Sequence, residues 1–276
     1  MSKGPGLFSD IGKKARDLLT RDYLSDHKFS VSTYSESGVA LTTSTVKKGG
    51  YSSGDVQVQY ACKNTCADVK VDTESNIAAT LTVTDIIPSS KTVASVKYPN
   101  FESGKLEFQY FHPHASLTAA VSLHQTPPVN FSATLGTPTF ALGAEAAYET
   151  SSRKLTKYTA GITVTKPDSC ASITLGDKGD TLTASFIHCL DQSKRSAAGG
   201  EITRKFSTNH NTFTVGGSYA LDDLTLVKLK LNNHGTLGTV LQHEVIRKSL
   251  VTISSELDTK ALDKTPKFGV CFALKP

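Results

Sequence analysis

From Lys28 to Lys275 apolar and polar side chains alternate with a period of two, so successive residues point to opposite faces of a sheet. Val56, Val58 and Tyr60 alternate with Asp55, Gln57 and Gln59, and Val69 and Val71 with Asp68, Lys70 and Asp72. Leu106, Phe108 and Tyr110 alternate with Lys105, Glu107 and Gln109. Leu117, Ala119, Val121 and Leu123 follow, then Val129, Phe131, Ala133 and Leu135, then Val227, Leu229 and Leu231 against Lys228 and Lys230. Phe268, Val270, Phe272 and Leu274 close the series. Turn signals separate these runs, among them Lys48-Gly49-Gly50, Pro88-Ser89-Ser90, Pro127-Pro128, Asp177-Lys178-Gly179-Asp180 and Asn232-Asn233-His234-Gly235. The pattern predicts about nineteen strands. Connections this short pair each strand with its neighbour, an up-and-down antiparallel meander with no room for crossover helices.

Only one segment has helical period. Leu7, Phe8, Ile11, Ala15, Leu18 and Leu19 fall on one face, opposite Lys13, Lys14, Arg16 and Asp17, which predicts an amphipathic helix from Leu7 to Leu19. Gly4-Pro5-Gly6 stops it at one end and the polar stretch Asp22 to Asp26 at the other. At 1.5 Å per residue it spans only about 20 Å, too short and too charged to cross a bilayer.

A sheet of this length closes or splits, because open twisted sheets rarely pass about 10 strands and exposed edges invite aggregation. Closure gives a barrel too wide for Thr, Ser, Lys and one short helix to fill, so its lumen holds water. The apolar rows then point outward, where lipid satisfies them. Composition agrees: with aromatics at 8%, no Trp and a single Met, the chain lacks the means to pack a thick dry interior. The fold class read from the pattern is thus an all-β closed transmembrane barrel with a short N-terminal amphipathic helix. Residues 1–27 form the N-terminal segment, its helix placed inside the pore with the membrane surface as the competing location for a basic amphipathic helix, and residues 28–276 form the barrel. No window approaches the roughly 20 apolar residues of a membrane-spanning helix, which leaves strands as the only crossing elements. The competing reading is a soluble lipocalin-like barrel binding an apolar ligand.

A net charge of +5 is spread along the chain and not clustered, so no nucleic-acid binding is expected. Cys62, Cys66, Cys170, Cys189 and Cys271 are an odd set with no metal-ligand spacing, and a disulfide framework is not expected. His112-Pro113-His114 is half a metal site without a third ligand nearby in sequence. Asn130-Phe131-Ser132 matches a glycosylation triplet but sits within a strand run. There is no nucleophile elbow, phosphate-binding loop or dinucleotide fingerprint, so neither cofactor, metal nor catalytic residue is expected.

The chemistry such a chain offers is selective passage. Period two puts Lys63, Lys70, Lys97, Lys105, Lys157, Lys228, Lys230 and Lys267 on the polar face, and the helix adds Lys13, Lys14 and Arg16. Set against Asp55, Asp72, Glu107, Glu145 and Glu256 on the same face, the excess is positive and attracts small anions. Asp72 and Glu74 both fall on the lumen side of the fourth strand, which leaves no carboxylate on its lipid side.

Lys3-Gly4-Pro5-Gly6-Leu7 followed by Ile11-Gly12-Lys13-Lys14-Ala15-Arg16-Asp17-Leu18-Leu19 resembles the opening of plant-type voltage-dependent anion channels, the mitochondrial porins. Tyr219-x-x-Asp222, Lys230-Leu231-Asn232-Asn233 and Gly238 are similar to the eukaryotic porin signature, although Leu229 stands where that signature prefers a small residue. The resemblance implies a voltage-dependent, weakly anion-selective diffusion channel in the mitochondrial outer membrane. Its contacts would be membrane lipids, its permeants small anions and nucleotides, and homo-oligomers stay open. Nineteen strands is the number known for such channels, so the matching count is not an independent result. An odd number makes the first and last strands parallel, placing Phe29–Val31 beside Val270–Phe272. Two departures stand out: Arg21-Asp22-Tyr23-Leu24-Ser25-Asp26 lacks the glycine-rich hinge of animal members, and Ser95-Val96-Lys97 replaces their Gly-Leu-Lys motif.

Overall fold

The computed structural model describes residues 4–48, 50–191, 193–261 and 265–275. A 3-10 turn, Phe8–Asp10, and one helix, α1 (Lys13–Thr20), precede nineteen strands among the described residues. The strands are β1 (His27–Tyr34), β2 (Val39–Lys48), β3 (Tyr51–Cys62), β4 (Thr65–Asp72), β5 (Ile77–Thr84), β6 (Ser90–Tyr98), β7 (Lys105–His112), β8 (Ala115–Ser122), β9 (Pro128–Gly136), β10 (Phe140–Glu149), β11 (Lys154–Thr165), β12 (Ser169–Gly176), β13 (Thr181–Cys189), β14 (Ala197–Lys205), β15 (His210–Ala220), β16 (Thr225–Asn232), β17 (Thr236–Ile246), β18 (Ser249–Asp258) and β19 (Lys267–Leu274).

Each strand pairs antiparallel with the next, and β1 pairs with both β2 and β19, so the sheet closes without a free edge. Closure satisfies every ladder internally, the condition for strands surrounded by hydrocarbon. The seam is parallel, with the expected strands, but its register differs by two residues from the sequence expectation: Phe29 lies opposite Phe272 and Val31 opposite Leu274. A slide of two keeps every side chain on its own face, so the apolar pattern alone does not resolve it.

The apolar row of each strand faces outward. Val56, Val58, Leu81, Leu106, Leu142, Ile173, Phe186 and Leu229 are all exposed on the outer wall. Tyr98, Tyr148, Tyr158 and Phe268 lie toward the rim where β1 begins, and Tyr34, Tyr60, Phe140 and Tyr219 toward the other. These are two aromatic girdles flanking an apolar band, the arrangement of a barrel seated in a bilayer. The soluble alternative requires apolar rows meeting across a dry centre, and it finds no support here. Of the ten buried apolar residues among those described, five (Phe8, Ile11, Ala15, Leu18 and Leu19) belong to the N-terminal segment lying against the inner wall.

The continuous helix expected from Leu7 to Leu19 is broken. Ile11 is extended and Gly12 takes φ +72°, a left-handed conformation that glycine adopts at little cost. A Cβ there would also stand 3.0 Å from the Ser172 hydroxyl, so the bend falls where the chain runs close to the wall. Glu74 is a second correction: β4 ends at Asp72, and Glu74 lies in the turn that follows, not on the lumen wall.

Candidate functional site

The inner surface is built from the polar rows, and along one circumferential path those rows carry unusually small residues. The N-terminal segment lies in this track. A Cβ at Gly143 would stand 2.7 Å from Phe8, one at Gly216 2.7 Å from Leu19 and one at Gly238 2.9 Å from the ring of Tyr23. Between them, Ser172 and Ser185 bond to each other at 2.7 Å beneath Gly12. An isolated helix of eight residues is unstable in water, so α1 exists because Ala15, Leu18 and Leu19 are buried on the wall. Ala15 and Leu18 pack with Ile187 and Ala197, and Cys170 flanks the cluster. Burying each leucine is worth about 1.5–3 kcal/mol.

Lys13, Lys14 and Arg16 lie on the opposite, exposed face of α1, toward the bore. Lys13 pairs with Asp10 at 3.4 Å; among the described residues neither Lys14 nor Arg16 has a carboxylate within 4.0 Å. The wall lysines are arranged differently. Lys70 reaches Asp55 at 3.3 Å, Lys105 reaches Glu107 at 2.6 Å and Lys157 reaches Glu145 at 4.0 Å. Lys230 and Lys267 share Glu256 at 3.5 and 3.4 Å, and Lys228 reaches Asp22 at 2.6 Å. Cross-strand register explains most of these pairs, since Glu256 stands directly opposite Lys267 and Gly238 directly opposite Lys230. Lys97 faces inward on β6 beside Ala78 and has no carboxylate within 4.0 Å among the described residues.

Lys63 is not on the wall. It occupies the tight β3–β4 turn with φ +45°, because period two ends one residue earlier at Cys62. Lys28 and Lys91 are inward cations that the sequence reading does not include. Lys28 shares its row with Ser30 and Ser32, and Lys91 stands opposite Gln109. The parity of Ser30 and Ser32 could have found the first, whereas inward Val93 obscured the row that holds the second.

The electrostatic consequence is uneven. A lysine closely paired with a carboxylate presents a dipole, whose field falls off faster than that of a lone charge, so the net positive potential comes from Lys14 and Arg16 on α1 and from the wall lysines Lys28, Lys91 and Lys97, which have no carboxylate within 4.0 Å among the described residues. Screening at physiological salt limits each charge to about 8 Å, which still covers a narrowed bore. Between α1 and β1, burial pushes the phenol of Tyr23 up to about 12, and the neighbouring Asp22 carboxylate adds to the effect.

The remaining motifs form no chemical centre. His112 and His114 flank the β7–β8 turn with rings 6.1 Å apart, and among the described residues no group of three His, Cys, Asp or Glu side chains could hold a metal ion. Asn130-Phe131-Ser132 lies inside β9.

The family model described as eukaryotic porin matches residues 4–269. Mitochondrial outer membrane protein porin 2 of Arabidopsis thaliana is 63% identical over 276 residues, 100% of both chains. Mitochondrial outer membrane protein porin 5 of Oryza sativa subsp. japonica is 57% identical over 274 residues, 99% of both. The mitochondrial outer membrane protein porin of 36 kDa of Solanum tuberosum is 48% identical over 276 residues, again 100% of both.

Proposed function

Since this chain belongs to the eukaryotic porin family, we propose that its preference for anions is set by Lys14 and Arg16 on α1, with Lys13, Lys28, Lys91 and Lys97 assisting, and not by the wall lysines that are paired with carboxylates. The protein is a channel of the voltage-dependent anion type in the mitochondrial outer membrane, in contact with lipid outside and with small permeants inside. In this reading residues 1–27 narrow the pore formed by residues 28–276. Nucleotides and other metabolite anions are the permeants such a field favours. The apolar outer wall offers a face for association between copies.

One observation carries the assignment: Lys70, Lys105, Lys157, Lys228, Lys230 and Lys267 each have a carboxylate within 4.0 Å, whereas Lys14 and Arg16 have none among the described residues. Reversal potential in planar bilayers under a salt gradient tests it. The double substitution Lys14→Glu with Arg16→Glu is expected to move the channel toward cation preference, and the matched pair Lys105→Gln with Glu107→Gln to leave it nearly unchanged. An unchanged reversal potential in the helix variant defeats the assignment.

A further inference from the structure

Residues 21–26, which join α1 to β1, are clamped to the wall at three successive positions. The Lys228 ammonium donates to the Asp22 carboxylate at 2.6 Å, and its side chain is only 11% exposed. The ring of Tyr23 lies under the Lys230 ammonium, 4.1 Å from ring centroid to nitrogen. The Leu24 N–H donates to the Ser254 hydroxyl at 3.1 Å, and that hydroxyl donates to the Leu24 carbonyl at 2.6 Å. The wall is cut to receive this stretch, for a Cβ at Gly269 would come 2.5 Å from the Leu24 carbonyl oxygen. Asp22 holds φ +75°, a conformation Asp tolerates better than most residues. A glycine-free linker, unfavourable for a hinge, is thus fastened to β16 by an ion pair and a cation–π contact and to β18 by two neutral hydrogen bonds.

We propose that Asp22, Lys228 and Ser254 form a positioning clamp that fixes α1 in the bore and so determines where Lys14 and Arg16 stand in the path of permeant anions. The inference rests on the channel reading above and assigns Lys228 a different role from the one its place on the polar face suggests. Lys228 is a positioning residue: its charge is spent on Asp22, and it acts on selectivity through the location of α1. Loss of Asp22 leaves the largely buried Lys228 ammonium without its counter-ion, and loss of Lys228 leaves Asp22 only the exposed Arg21 guanidinium at 4.0 Å; in both cases hydration of the remaining charge pulls the segment off the wall. Removal of the Ser254 hydroxyl has the same mechanical effect with no change in lumen charge.

Single-channel recording on the full chain separates the clamp from a simple charge effect. Asp22→Asn adds one positive charge to the lumen balance and Lys228→Gln removes one, so a pure charge role moves the reversal potential in opposite directions and leaves the open level steady. A clamp predicts that both variants lose the single stable open level in the same way, and that the exchange Asp22→Lys with Lys228→Asp restores it. Ser254→Ala serves as the uncharged test, decisive also where the exchange fails to fold: it is expected to destabilise the open level on its own. A steady open level in Ser254→Ala, or opposite reversal-potential shifts with no change of open level in the two single variants, overturns the clamp. A wild-type chain that does not conduct at all would instead overturn the channel reading.

Discussion

At the scale of single residues, what a side chain does here depends on which partner the barrel brings to it. Lys14 and Lys228 are the same residue type at polar positions, yet one faces the bore without a carboxylate within 4.0 Å among the described residues and the other is held at 2.6 Å by Asp22. Period two identifies the row a lysine occupies; it says nothing of the neighbour two strands or two hundred residues away. Tyr23 shows the same dependence. Its hydroxyl is buried without a hydrogen-bond partner among the described residues, and its phenol is raised from 10.0 to about 12. The neutral phenol therefore favours the folded chain below pH 10, and this preference is lost as pH rises through 12. In a tyrosinate absorbance titration, Tyr23→Phe should delete the component that ionises highest, whereas loss of a component near 10 would show that the ring is exposed to water.

Within single elements, alternation is the strongest sequence signal, because a strand sorts its side chains by parity whatever surrounds it. On β3 the order Asp55, Val56, Gln57, Val58, Gln59, Tyr60 was enough to place the outer row, and exposed Val58 stands on it. Lysine at Val58 should cost about 2–4 kcal/mol if that position lies near the bilayer midplane, and lysine at neighbouring Gln59 should cost little. Reversible unfolding into lipid vesicles measures the difference, and equal costs at the two positions would contradict the orientation of the strand. Helical period was a less complete guide. It found the apolar face of the N-terminal segment correctly, but not the bend at Gly12, which lies beside Ser172 of the wall, a neighbour that no local pattern contains.

For the whole molecule, closure is the feature that organises the rest. An odd number of strands forces a parallel seam, and the seam joins residues far apart in the chain. In a background without the native cysteines, a pair at Phe29 and Phe272 should oxidise readily and produce a faster-migrating band on denaturing gels. Preferential cross-linking of Phe29 to Val270 would show that the seam lies two residues from the register described. Closure also brings β16 and β18 to the segment between α1 and β1, so that the clamp and the track of small residues are consequences of circular topology.

The sequence by itself determined the strand rhythm, the two faces of the wall, the site of most turns and the amphipathic nature of the first twenty residues, since these follow from local period and steric preference. The family likeness came from the same source, through the residues around Gly4–Leu19 and Tyr219–Gly238. Only the tertiary structure decided the seam register, the break at Gly12, the removal of Lys63 and Glu74 from the wall, and the pairing that separates bore-facing cations from neutralised ones. The physical reason is distance in the chain: a charge acts through space on whatever lies within a few ångströms, and closing the barrel is what makes distant residues neighbours.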